Sequence, residues 1–540
     1  MKTPIRALSA GALAVGLMAG ASLPAQADYE LTILHFNDLH ARFQPINRFD
    51  SDCGEKDLGE GKCYGGVARL AAVINDRRTA AQNDGRNVAV LIGGDVFQGS
   101  VFYTYYKGAA SAELMNMIDV DAMTVGNHEF DDGTGPLAEF IHATNFPVLG
   151  SNVKTDKDAN LFGMLPGVAI IEKGGERIAI IGIVTETTPE IASPGDDVFF
   201  LDSALSLPPL VAELKRNAIN KIILLSHSGS NRDIQLAGLI DGIDVIVGGH
   251  SNTFLSNTSD RASGPYPTMV KNPNGRDVPI VQAYAYGRYL GELHVTFDDF
   301  GNVVEAEGDV IELTQEYGED AAIAKRVAAL ATPVEAWKST EVGEAANPID
   351  GNRASCRAKE CAMGNLVTDA IMWKTKDQGT ELVITNGGGL RASIDGGTIT
   401  MGEVLTVLPF QNTIATFKLK GSDVVAALEN GVSQVEDGAG RFAQVAGMRY
   451  TWDPAMEPGK RIVSVEVMQA DGSYTPIDAD RMYAVASNNY MRGGGDGYDV
   501  FEKMAVDAYD YGPGLEEAVA AYIGEMSPVD PQLEGRIMSK

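Results

Sequence analysis

Five short apolar runs between Leu31 and Val247 each give way to small polar residues carrying Asp, Asn or His. Leu31–Phe36 leads into Asn37-Asp38-Leu39-His40, and Val88–Ile92 into Gly93-Gly94-Asp95. Met123–Val125 leads into Gly126-Asn127-His128-Glu129-Phe130-Asp131, Ile222–Leu225 into Ser226-His227, and Val245–Val247 into Gly248-Gly249-His250. Between the runs lie segments with apolar residues at helical spacing, Gly66–Arg77 and Ser111–Ile118 among them. That alternation predicts an α/β domain with buried strands over Leu31–Gly291. In open α/β sheets the C-terminal strand edge is where ligands bind, so the pattern gathers these donors on one edge. Taken singly, each is an ordinary loop residue or helix cap; the recurrence at five strand ends points to metal. Four of the seven His in the chain stand there: His40, His128, His227 and His250. Oxygen donors mixed with imidazoles suit Zn, Mn, Fe or Co. Two such ions sharing a bridging Asp would clamp a phosphoryl group and generate hydroxide near neutral pH.

Charge narrows the partners. With 43 Lys and Arg against 73 Asp and Glu, the net charge is −30. That balance argues against a nucleic acid polymer or an anionic membrane as the main partner, because phosphate binding at such surfaces is dominated by Lys and Arg. An anionic substrate would have to be met locally, by metal ions or a few Arg. Lys2 and Arg6, an apolar stretch from Ala7 to about Ala21 and the Ala25-Gln26-Ala27 site describe an export signal cleaved near Ala27. The polar C-terminus carries no lipid-anchor signal, so the expected product is a soluble periplasmic or secreted protein without a stable membrane anchor. The four cysteines fall into two local pairs, Cys53 with Cys63 and Cys356 with Cys361. In an exported chain disulfides are the default over a zinc site, and neither spacing is C-x2-C.

A helix without strong core character is expected at Ala321–Trp337, and residues 326–350 read as a linker ahead of a second α/β domain. That domain has helices near Met363–Trp373 and Val424–Asn430 and strands near Leu382–Thr385 and Tyr483–Ser487. Four strings stand out in it: Cys356-Arg357-Ala358-Lys359-Glu360-Cys361, Asn386-Gly387-Gly388-Gly389-Leu390-Arg391, Leu408-Pro409-Phe410, and Asn489-Tyr490-Met491-Arg492-Gly493-Gly494-Gly495-Asp496. None is a phosphate-loop or dinucleotide fingerprint. Together they offer Arg for phosphate oxygens, two aromatics for a base, and an Asn and a carboxylate for ribose hydroxyls.

The order Asp38-x-His40, Gly94-Asp95, Gly126-Asn127-His128-Glu129, His227, Gly249-His250-Ser251-Asn252 resembles the calcineurin-like dinuclear metallophosphoesterases. The longer strings Gly126 to Gly133 and Gly249 to Leu255 resemble the secreted 5′-nucleotidases, over nearly the whole mature chain. The resemblance implies a four-layer α/β/β/α domain over 28–325 and a helical linker over 326–350. It further implies a C-terminal α/β nucleotide-binding domain over 351–540, following a signal peptide at 1–27. It places one divalent ion on Asp38 and His40, the other on Asn127, His227 and His250, with Asp95 bridging; Zn, Mn and Co are the candidate ions. His128, oriented and kept protonated by Asp131, would stabilise charge on the phosphoryl or leaving oxygen. Arg357, Asn386, Arg391, Phe410, Tyr490 and Asp496 would form the nucleotide pocket. Tyr490 replaces the Phe of several relatives, Arg353 matches an extra phosphate-site Arg of some bacterial members, and Asn252 stands where some relatives have a weaker ligand. The implied reaction is hydrolysis of nucleoside 5′-monophosphates by in-line attack of metal-bound hydroxide, with the two domains rotating between open and closed forms. A broader phosphohydrolase of ATP, ADP, UDP-sugars or 2′,3′-cyclic nucleotides is the enzymatic alternative. A silent nucleotide-binding surface protein is the alternative of another class.

Overall fold

The computed structural model describes residues 28–540 except 49, 51, 52, 193, 411 and 511. The segment read as an export signal lies outside the described residues.

The apolar runs do form strands. Tyr29–Phe36, Asn87–Ile92, Ala122–Thr124 and Val148–Leu149 lie parallel in one six-stranded sheet, closed on its far side by the antiparallel strands Tyr289–Phe297 and Val303–Glu312. Glu176–Val184, Lys221–His227, Val245–Val247 and Asp277–Val281 lie parallel in a second six-stranded sheet, edged by Val168–Lys173 and Thr268–Lys271. Side chains alternate across each strand, and both faces here are apolar. Leu31 and Ile33 meet Ile178, Ile180, Ile223 and Val245 between the sheets. Leu34 and Phe36 turn outward onto the helices Val67–Asn83 and Gly108–Ile118. On the other side Ile181, Ile222 and Ile246 meet the helices Ser203–Arg216 and Ser230–Leu239. The layers therefore stack α/β/β/α, and both sheets bring their C-terminal strand ends to the same rim.

One expectation changes. The helix Ala321–Trp337 buries Ile323, Val327, Leu330 and Val334 in the core of the first domain. These residues sit at i, i+4, i+7 and i+11, a helical stripe that the Ala-rich composition hides. Next, Glu341–Ala345 pairs with Gly397–Thr400 of the second domain. The chain thus passes between domains at Lys338–Thr340, a shorter crossing than residues 326–350.

The second domain is built on a five-stranded mixed sheet containing Leu382–Asn386, Ile414–Lys420 and Met482–Asn488, with helices Ala362–Lys374 and Leu515–Met526 packed together on one face. A four-stranded sheet including Met448–Trp452 and Ile462–Met468 covers a further core. Disulfides join Cys53 to Cys63 and Cys356 to Cys361. No helix among the described residues is long and apolar enough to cross a membrane.

Candidate active site

The rim holds two buried carboxylates, Asp38 and Asp95, exposed by 1% and 2%. Their ion-pair partners among the described residues are imidazoles rather than Lys or Arg: His40 Nε2 is 3.8 Å from Asp38 Oδ1, and His227 Nε2 is 2.9 Å from Asp95 Oδ2. Ligand atoms of Asp95, His227 and His250 lie within 4.8 Å of one another, as do those of His40, Asp95 and His128. Asp95 is common to both groups, as a bridging ligand would be. Asn127 Oδ1 meets His250 Nδ1 at 2.8 Å, and the backbone N–H of His250 donates to Asp38 Oδ2 at 3.0 Å. Asp38 Oδ1 and His227 Nε2 are buried without an aligned hydrogen bond.

Charge in this cluster is unbalanced in a way that a cation resolves. Burial would raise the Asp95 carboxyl, but His227, His128 and His40 outweigh it and hold the group well below the usual carboxylate range. Burial carries Asp38 up to about 7, against the pull of His227. Burial takes His40 and His250 down to about 3, leaving neutral imidazoles with a lone pair to offer. Burial works against charge on His227 too, yet Asp95 and Asp38 drive it to about 10, so a proton sits where positive charge is wanted. Buried carboxylates with neutral imidazoles and an amide oxygen fit divalent ions of the Zn, Mn or Co type.

The backbone that delivers these groups is unusual. Asp38, His40, Asp95, Gln98, His250 and Asn252 all have positive φ, between 49° and 73°. Each such non-Gly residue costs on the order of 1 kcal/mol or more, and such strain collects at functional sites. Glycines make the close approaches: a Cβ on Gly249 would sit 2.3 Å from the Gly93 carbonyl oxygen, and one on Gly126 would sit 2.1 Å from Asp95 Oδ1.

His128 and Asp131 form a pair of their own. His128 Nδ1 is 2.6 Å from Asp131 Oδ2, which also accepts from Gln98 Nε2 at 3.2 Å. Burial disfavours the imidazolium, but Asp131 and then Asp95 carry the His128 pKa to about 9. Proximity alone would also allow His128 to ligate with His40 and Asp95.

Glu129 is given no role by sequence reasoning. Its buried carboxylate accepts from the N–H groups of Asp95, Val96, Phe97 and Gly126, at 2.6 to 3.1 Å, and so ties the two loops that carry Asp95 and Asn127. The available signal is a Glu inside a metal string with no Lys or Arg beside it in sequence. Glu129→Gln puts amide hydrogens against those donors. Burial, with Asp95 beside it, carries the Glu129 carboxyl up to about 7. Urea unfolding of the metal-free protein above that pH should therefore show a loss of about 3 kcal/mol or more, since bonds to a buried charged acceptor are worth roughly 1.5–3 kcal/mol each.

In the second domain Asn386 Nδ2 donates to Asp496 Oδ2 at 2.7 Å, and Tyr490 Oη to Asp496 Oδ1 at 3.1 Å. Asn488, not singled out from sequence, donates to Asn386 Oδ1 at 3.0 Å. The Arg391 guanidinium lies 5.2 Å from the centre of the half-buried Phe410 ring. Arg357 follows the short helix Arg353–Cys356 and donates to the Gly438 carbonyl. Gly387 packs so closely on the Cys356 carbonyl that a Cβ would come within 2.0 Å, which sets the glycine loop beside the disulfide loop. Arg353 is exposed. The hydrogen bonds described for Arg357, Asn386, Arg391, Tyr490 and Asp496 all stay within the second domain. The metal-type cluster and the aromatic–Arg cluster are thus two separate assemblies.

Residues 31–254 match the family model for calcineurin-like phosphoesterase, and residues 341–503 that for the 5′-nucleotidase C-terminal domain. A snake venom 5′-nucleotidase of Naja atra is 37% identical over 94% of this chain and 98% of its own. The crystal structure of a 5′-nucleotidase precursor from Thermus thermophilus shares 42% identity over 95% of this chain and 99% of that one, with a TM-score of 0.61. The NAD nucleotidase of Haemophilus influenzae shares 29% identity over 95% and 100%, with a TM-score of 0.79.

Proposed function

The chain belongs to the 5′-nucleotidase family, and from that premise we propose that it hydrolyses nucleoside 5′-monophosphates to nucleoside and phosphate with two divalent ions. The observation that carries this is the pair of buried carboxylates whose ion-pair partners are imidazoles, with the Asn127 amide oxygen on His250, all at one rim. Asp38 and His40 would hold one ion and Asn127, His227 and His250 the other, with Asp95 within reach of both. When bound, two such ions clamp phosphoryl oxygens and lower the pKa of water toward neutrality. His128 holds a proton at Nε2 for the leaving oxygen, while Asp131 keeps Nδ1 engaged. Phosphate release from AMP should vanish on chelation and return with Mn, Co or Zn. Release that survives chelation, with bound metal shown to be gone, overturns the reading.

In the second domain Arg357 and Arg391 meet phosphate oxygens, Phe410 and Tyr490 stack on the base, and Asn386 and Asp496 take the ribose. Stacking is worth roughly 1–3 kcal/mol per base. Phe410→Ala should therefore raise KM for AMP about tenfold while leaving p-nitrophenyl phosphate, which has no base, within about twofold. Equal losses on both would count against stacking.

A broader reading has one observation behind it, the similarity to the NAD nucleotidase. Initial rates on AMP, ATP, NAD and UDP-glucose separate it from strict monophosphate hydrolysis. The two disulfides fit an oxidising compartment, and we place the mature enzyme outside the cytoplasm, its signal removed near Ala27. The hinge between the domains lies at Lys338–Thr340.

A further inference from the structure

The Tyr490 hydroxyl makes two hydrogen bonds among the described residues, and both are to one residue. It donates to Asp496 Oδ1 at 3.1 Å and accepts from the Asp496 backbone N–H at 3.1 Å. Asp496 stands at φ 54°, ψ 22°, a left-handed conformation that costs a non-Gly residue on the order of 1 kcal/mol. Its carbonyl accepts from Asn430 Nδ2, and Asn430 is steadied in turn by Arg441. The ring of Tyr490 is backed by Gly495, whose Cβ, were there one, would lie 2.6 Å from ring carbons Cε2 and Cζ. Tyr490 remains 46% exposed. The hydroxyl is thus engaged sideways, along the ring plane, and is not offered to a stacked base.

We infer that Tyr490 is a positioning residue for sugar recognition: its hydroxyl fixes the Asp496 carboxylate so that the pocket selects a vicinal ribose diol. This rests on the nucleotidase reading and goes beyond it. An ionised carboxylate has about four acceptor sites. Tyr490 takes one on Oδ1 and Asn386 one on Oδ2, leaving one on each oxygen. Two parallel acceptor sites held still suit two adjacent hydroxyls, as a fork suits a carboxylate. With Phe at this position the Asp496 N–H and Oδ1 both lose a partner, and part of the diol's binding energy goes into ordering the carboxylate.

The test compares wild type, Tyr490→Phe, Asp496→Asn and the double variant by calorimetry with adenosine and 2′,3′-dideoxyadenosine, and by steady-state kinetics on AMP, UMP and dideoxy-AMP. Tyr490→Phe should weaken adenosine about fivefold to tenfold and leave dideoxyadenosine within about twofold. KM for AMP should rise in step with kcat unchanged, the AMP-to-UMP ratio should hold, and the double variant should lose no more than Asp496→Asn alone. Equal weakening of both nucleosides would make the effect one of the ring, a shifted AMP-to-UMP ratio would put the hydroxyl on the base, and no change would leave it without a role; each overturns the inference while the nucleotidase reading stands. A wild type that neither binds adenosine nor releases phosphate from AMP overturns that reading, and this inference with it.

Discussion

His128→Ala should lower kcat on AMP about a thousandfold while both metal ions stay bound. The expectation follows from two features of the pair. Asp131 Oδ2 lies 2.6 Å from Nδ1, which fixes the ring so that Nε2 carries the proton into the site. Asp131 and Asp95, overcoming burial, set the pKa at about 9, so the proton is in place at neutral pH. Ions bound at Asp95 would cancel much of that carboxylate's help, and Asp131 would remain as the dedicated partner. A preorganised donor in a water-poor site is worth roughly 10²–10³ in rate, and general acid catalysis roughly 10²–10⁴. Metal content by mass spectrometry makes the experiment decisive, since His128 also lies within ligand reach of His40 and Asp95. Loss of one ion in parallel with activity would move His128 into the ligand set. Full kcat with both ions present would remove it from the mechanism. Asp131→Asn should show a smaller loss and a kcat that falls at lower pH than in the wild type, because the imidazolium loses its partner.

Much of the first domain is legible because its strands are short, wholly apolar and followed by donors: the apolar run Val245–Val247 is the strand to the residue, and Ile222–Leu225 lacks only the strand's polar ends. Hidden features are those that depend on partners distant in sequence. The hairpin Tyr289–Phe297 with Val303–Glu312 alternates polar and apolar residues on a partly exposed edge, so it shows no apolar run. The helix Ala321–Trp337 carries its core residues in an Ala-rich background. In the site, residue types announce the donors, but neither the left-handed backbone at Asp38, His40, Asp95 and His250 nor the Glu129 cradle leaves a mark in composition. The same holds for the second domain, where Tyr490 reads as an aromatic with an added hydroxyl near the base, whereas the hydroxyl meets Asp496.

The largest remaining effect concerns the domains as wholes. A covalent tether between them should reduce turnover at least about a hundredfold. On the proposed reading, the donors for the ions sit on the first domain and the aromatic–Arg cluster for the base on the second, so that one monophosphate engages both. Comparison with relatives points the same way: the structure 42% identical superposes less well, at a TM-score of 0.61, than the one 29% identical, at 0.79. A rigid chain would be expected to reverse that order, and rotation of the two domains against each other is the motion we propose to account for it. The crossing at Lys338–Thr340 is short and lies between a helix anchored in one core and a strand paired in the other, as expected for a hinge. Thr104 of the first domain donates a hydrogen bond to Glu517 of the second, so this pair offers a place to fasten them. Thr104→Cys with Glu517→Cys, joined by a short bis-maleimide, should bind AMP yet turn it over at no more than about a hundredth of the uncrosslinked rate. Each single-cysteine variant treated with the same reagent should keep its kcat, which separates locking from local damage. A cross-linked protein with undiminished kcat would mean that substrate reaches both clusters without domain movement, and the hinge at Lys338–Thr340 would have to be given up.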